Sequence, residues 1–149
     1  MRRDPDPARG LVENPSNKPF LHARIGPTEE LSPYLRHFWI VAWDLEQPQL
    51  QHNLPHPCAH FVVERGRSQI VGVMRRRFTR ELRGRGMVFG IALRAGILPL
   101  FTGRPAWHDT GHMRPLDAVF ERQASERLEG EILASRDDHE RVFVAERFL

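Results

Sequence analysis

The chain has 149 residues, enough for one domain with a substantial core and too few for two ordinary ones. Apolar residues make up 40% and charged residues 28%, while 12 prolines and 11 glycines favour short strands and turns over long helices. A net charge of +3, nearly all of it on arginine because Lys18 is the only lysine, is small for a domain held to nucleic acid by phosphate contacts. No apolar run approaches the roughly 20 residues of a membrane-spanning helix, and the N-terminus, MRRDPDPARG, lacks a secretory apolar stretch. A cytoplasmic location with no membrane partner is expected. The single cysteine, Cys58, excludes an internal disulfide framework and a four-cysteine zinc site.

Residues 1–33 carry Pro5, Pro7, Pro15, Pro19, Pro27 and Pro33 with few apolar residues between them, and read as an extended arm. From Tyr34 to Leu45 β-branched and aromatic residues dominate, with Phe38, Ile40 and Ala42 on one face and Trp39, Val41 and Trp43 on the other. The Pro/Gln/His segment EQPQLQHNLPHP reads as a loop. Three strand-like runs follow, AHFVVE, SQIVGVM and RFTRELR, consistent with an antiparallel meander. In GMVFGIALRAG, Met87, Phe89, Ile91 and Leu93 share one face while Gly90 and Ala92 lie on the other, the pattern of a closely packed central strand. Helical periodicity begins after Pro115 with Leu116, Val119, Phe120, Leu128 and Ile132, and predicts a helix from Pro115 to Leu133. Its opposite face, Glu121, Arg122, Ser125, Glu126 and Glu129, reads as solvated. Asp137 and Glu140 stand in capping-box spacing ahead of a last helix with Val142, Ala145 and Leu149. The expected fold is α+β: a mainly antiparallel barrel or sandwich, cupin-like among the options, followed by two C-terminal helices. The β-rich core is expected over 34–114 and the helical segment over 115–149.

The segments LPHPCAHFVVERG (54–66), IVGVMRRRFTRELRGRGMVFGIALRAGILPLF (70–101), PLDAVF (115–120) and a closing ERFL resemble the N-terminal domain that precedes the paired helix-turn-helix unit in AraC-type bacterial transcription regulators. The resemblance covers 31–149 and is one of order and spacing. Where such domains read phenylalanine, a variable residue and then Pro-Gly-Gly after the central strand, this chain reads Leu93-Arg94-Ala95-Gly96-Ile97. The resemblance implies a sensor domain that binds a small effector and forms a homodimer, with no cofactor and no catalytic role. DNA would be contacted only through a helix-turn-helix domain that this chain does not contain. The last helix stops at Phe148-Leu149 with no turn or polar tail after it, which reads as the boundary of a fragment or a join to another domain.

His56, Cys58 and His60 would share a face in an extended chain, as metal ligands do. His56 and His60 are therefore the candidate ligands in the alternative reading, a small metal-dependent cupin-like enzyme. The other reading is a strand-entry loop in which Cys58 packs as an apolar group and His60 hydrogen-bonds within the sheet. His108, Asp109 and His112 form a second polar cluster, read as a loop. No serine lies in a Gly-x-Ser-x-Gly elbow. In the run Arg75, Arg76, Arg77, Arg80, Arg83 and Arg85, alternation puts Arg76 and Arg80 on the face of Phe78 and Leu82 and the others opposite, which splits any DNA-facing stripe. For an effector pocket, the candidate walls are Trp39, Trp43, Phe89 and Trp107, with Arg94 or His60 as the orienting polar group. Trp43 and Trp107 are preferred because each adjoins polar loop residues. The last helix carries apolar residues on more than one side, so it is expected at an inter-subunit or inter-domain surface.

Overall fold

A computed structural model describes residues 20–149. Strands β1 (Phe20–Ile25), β2 (Leu35–Asn53), β3 (His60–Val63), β4 (Gln69–Val71), β5 (Phe78–Leu93) and β6 (Met113–Pro115) form one open sheet in the order β1-β2-β5-β3-β4-β6. Every neighbouring pair is antiparallel. Helix α1 (Leu98–Thr102) follows β5, and α2 (Arg122–Ala134) and α3 (Asp138–Phe148) close the chain. The antiparallel sheet followed by C-terminal helices is the α+β architecture expected from the sequence.

Several elements differ from the pattern reading. The proline-rich arm contains a strand: β1 pairs with β2 from Phe20↔Trp43 to Ile25↔Phe38, while residues 1–19 of that arm lie outside the described residues. Strand β2 does not stop at Leu45. A register shift between Leu45 and Gln49 absorbs Pro48, which cannot donate to a ladder, and pairing resumes to Asn53↔Phe78. RFTRELR and GMVFGIALRAG are likewise one strand, β5, continuous through Gly84 and Gly86. The three middle runs are not a meander, because β5 lies between β2 and β3 and the second neighbour of β4 is β6. Pro115 ends β6 and precedes a 3-10 turn at Leu116–Ala118, so the helix predicted from Pro115 begins only at Arg122. On its presumed solvated face Ser125 is buried, and Glu129 accepts from the Gly66 amide at 2.7 Å and the Ser68 hydroxyl at 2.6 Å.

The period-2 alternation of β2, β3 and β5 separates two sheet faces. Phe38, Ile40, Phe61, Phe89, Ile91 and Leu93 lie on one and are covered by Leu128 and Ile132 of α2 and Val142 and Ala145 of α3, forming the main core. The capping-box reading of α3 holds at its first half: Asp137 accepts from the Glu140 amide at 2.8 Å, while the Glu140 side chain reaches the Arg136 amide at 2.7 Å. Among the described residues no helix is long and apolar enough to cross a membrane.

Candidate functional site

The second face of the sheet is built on small residues. Directly opposed residues in a ladder point the same way, so the register arranges this face in rows. One row runs Arg24, Trp39, Gly90, Val62, Gln69, and the next runs His37, Ala92, His60, Val71, Met113. Central strand β5 contributes Gly86, Val88, Gly90 and Ala92 to it. A Cβ at Gly90 would overlap the Trp39 indole, and one at Gly86 would overlap that of Trp43. The two tryptophans of β2 thus lie flat across glycine backbone on the neighbouring strand.

Above this floor is a cavity of about 220 Å³. Trp39, Val41, Trp43, Val62, Leu82 and Val88 supply its apolar wall, and Arg24, Gln51, His60, Glu64 and Arg80 are among its polar groups. The far half of the β2–β5 ladder, beyond the register shift, brings Phe78, Arg80 and Leu82 to the same space. Both Arg80 guanidinium nitrogens bond the Glu64 carboxylate, one at 2.8 Å, and the guanidinium carbon lies 5.8 Å from the Trp43 ring centroid. This bidentate pair ties the far half of β5 to the end of β3.

His60 is fixed by its neighbours. The Trp39 indole N–H donates to His60 Nδ1 at 3.1 Å, so the neutral ring carries its proton on Nε2, which lies 3.5 Å from Cys58 Sγ. Burial, then the positive surroundings of His56, His37, Arg36 and Arg24, push the imidazole pKa down to about 3. Burial likewise pushes the Cys58 thiol up, more than Arg36 and Arg24 draw it down. With Nε2 already protonated and the thiol pKa raised, proton transfer from Cys58 to His60 is disfavoured, and the pair offers neutral hydrogen-bonding groups rather than a nucleophile and base. The His56 and His60 rings meet edge-on with centroids 6.0 Å apart, and Nδ1 of His60 is occupied by Trp39. Among the described residues no three His, Cys, Asp or Glu side chains gather as a metal-binding group.

Of the sequence-predicted site residues, Trp39, Trp43 and His60 come together in the cavity wall, with His56 beside them. The others do not join them. Phe89 is fully buried on the helix-covered face and stacks on Phe38 at 5.9 Å, because odd positions of β5 point away from the cavity. Arg94 is exposed and donates from Nε to the Ser32 carbonyl at 2.6 Å; its turn closes with Ile97 N to Arg94 O and Gly96 at φ 81°, so one glycine suffices there. Trp107 is 68% exposed and stacks on His108 with centroids 3.9 Å apart. Asp109 is buried, its Oδ1 accepting from Arg114 at 2.8 Å and Arg104 at 3.1 Å, so that cluster clamps a loop. Sequence reading missed Arg24, which fell in the presumed arm, and the side-chain pairing of Glu64 with Arg80, 16 residues apart in the chain.

The fold and site define an open antiparallel sheet backed by helices on one face and carrying a mostly apolar cavity with a few placed polar groups on the other. The family described as "Domain of unknown function (DUF6597)" matches residues 23–113, and the chain belongs to that family. No curated protein and no solved structure matches the chain.

Proposed function

We propose that this domain is the ligand-sensing part of an AraC-type transcription regulator and that it holds a small effector in the cavity over Trp39 and Trp43. The cavity carries the reading: indoles, valines and a leucine for an apolar body, with His60 among the polar groups that would orient it. The resemblance in order of segments to the N-terminal domains of such regulators supports it, since those segments supply β3, β5 and part of the cavity lining. In this proposal the domain acts as a homodimer, and DNA is read by a helix-turn-helix domain outside these residues.

A thermal-shift screen of metabolites tests the binding claim. A compound present at about 100 times its Kd stabilises the native state by about 2.7 kcal/mol, a Tm rise of roughly 5–11 °C for a domain of this size. The effect should vanish in Val62→Trp, where the larger side chain fills the cavity. Equal shifts in both proteins would place the binding elsewhere and contradict the assignment. So would a stoichiometric transition metal that is lost when His56 and His60 are replaced.

A further inference from the structure

The long β2–β5 ladder breaks at one level. The last pair before the break is Leu45↔Gly84 and the next is Gln49↔Leu82, so β2 carries Glu46, Gln47 and Pro48 there against the single Arg83 of β5. At the same level Gly84 adopts φ 54°, the left-handed region that glycine enters without strain. Extra residues in one strand bend it and interrupt the ladder, and here both strands are irregular side by side. Beyond the break, residues 49–53 and 78–82 pair as a two-stranded ribbon, an arrangement of marginal stability on its own. Its inward residues Gln51, Asn53, Phe78, Arg80 and Leu82 wall the cavity. Leu82 packs with Trp43, Leu45 and Val88 at the break itself. Arg80 holds the ribbon farther out: its guanidinium grips the Glu64 carboxylate with two nitrogens, both side chains mostly buried, and lies over the Trp43 ring.

We infer that the ribbon is a gate: it swings about the break at Leu45 and Gly84 to open the cavity, and the Arg80–Glu64 pair is the latch that keeps it shut. Swinging out separates Arg80 from Glu64 and uncovers Trp43, and closing restores both contacts. The gate goes beyond the effector reading and is tested on the protein alone, so either can fail without the other. Amide hydrogen exchange resolved by NMR compares residues 49–53 and 78–82 with residues 38–43 and 88–92. Glu64→Gln should speed exchange in the ribbon about tenfold, the scale of weakening a hydrogen bond between charged groups that opposes a local opening. The second set should be unchanged. In a Trp107→Phe background, acrylamide should quench the two remaining tryptophans more strongly once Glu64 is replaced. Arg80→Lys keeps the charge and loses the two-nitrogen grip; it should show the same pattern more weakly, and it carries the test if Glu64→Gln does not fold. Unchanged exchange in the ribbon, or equal acceleration in both sets of amides, would overturn the gate.

Discussion

Burial and positive neighbours hold His60 near a pKa of 3 in the folded domain, whereas the same ring titrates near 6.5 when unfolded. Between those values the unfolded chain binds a proton that the native state refuses, so stability falls as the pH drops through that window. The slope from this one group reaches about 1.4 kcal/mol per pH unit. His60→Gln keeps an acceptor for the Trp39 indole and removes the titration. Urea unfolding from pH 7 down to pH 4 should show a shallower loss in the variant, and equal slopes would mean that His60 charges freely in the native state. The residue scale is also where the sequence was hardest to read. Arg76 and Arg80 share the face of Phe78 and Leu82 by simple alternation, and all four line the cavity. Arg24, by contrast, stood among prolines, and only its pairing opposite Trp39 brings it to the site.

At the scale of elements, the central strand determines where space is left. Met87, Phe89, Ile91 and Leu93 pack into the helix-covered side, and Gly86, Gly90 and Ala92 leave the other side open for two indoles. Gly90→Ala places a methyl group where the Trp39 ring lies and should cost about 1–3 kcal/mol by overpacking. It should also change the Trp39 environment in near-ultraviolet circular dichroism; a variant matching the wild type in both stability and spectrum would contradict the stacking of indole on glycine. The alternation of β5 was legible because both of its faces are uniform in kind. Its continuity was not, since Gly84 and Gly86 signal a turn locally, yet the strand runs on through both and Gly86 lets it pass beneath Trp43. Pro48 likewise signals a loop, although the register shift lets β2 continue past it. Local chemistry gives the preference, and pairing with a long neighbour overrides it.

At the scale of the whole molecule, α3 is mostly committed to its own domain. Val142 and Ala145 are in the core, and Val144, Phe148 and Leu149 pack against it, with Phe148 4.8 Å from Phe120 between ring centroids. That accounts for apolar residues the sequence suggested were left for a partner. Phe143 alone remains outside, 59% exposed under Arg147. If the homodimer proposed above uses α3, Phe143→Glu should lower the mass measured by light scattering at micromolar concentration without changing Tm, whereas Phe148→Glu should destabilise the fold. An unchanged mass would move the contact away from this helix. The layered fold could be read from periodicity, because burial imposes it residue by residue; the cavity could not, because it depends on which strands become neighbours. The chain's three tryptophans provide the most direct test of that cavity. With a ligand found by the thermal-shift screen, an ¹⁵N-resolved titration follows the three indole N–H signals separately. Trp39 and Trp43 should shift together and saturate while Trp107, exposed and stacked on His108, stays in place. A titration in which Trp107 alone moves, or in which Trp39 and Trp43 remain fixed, would contradict the cavity as the binding site.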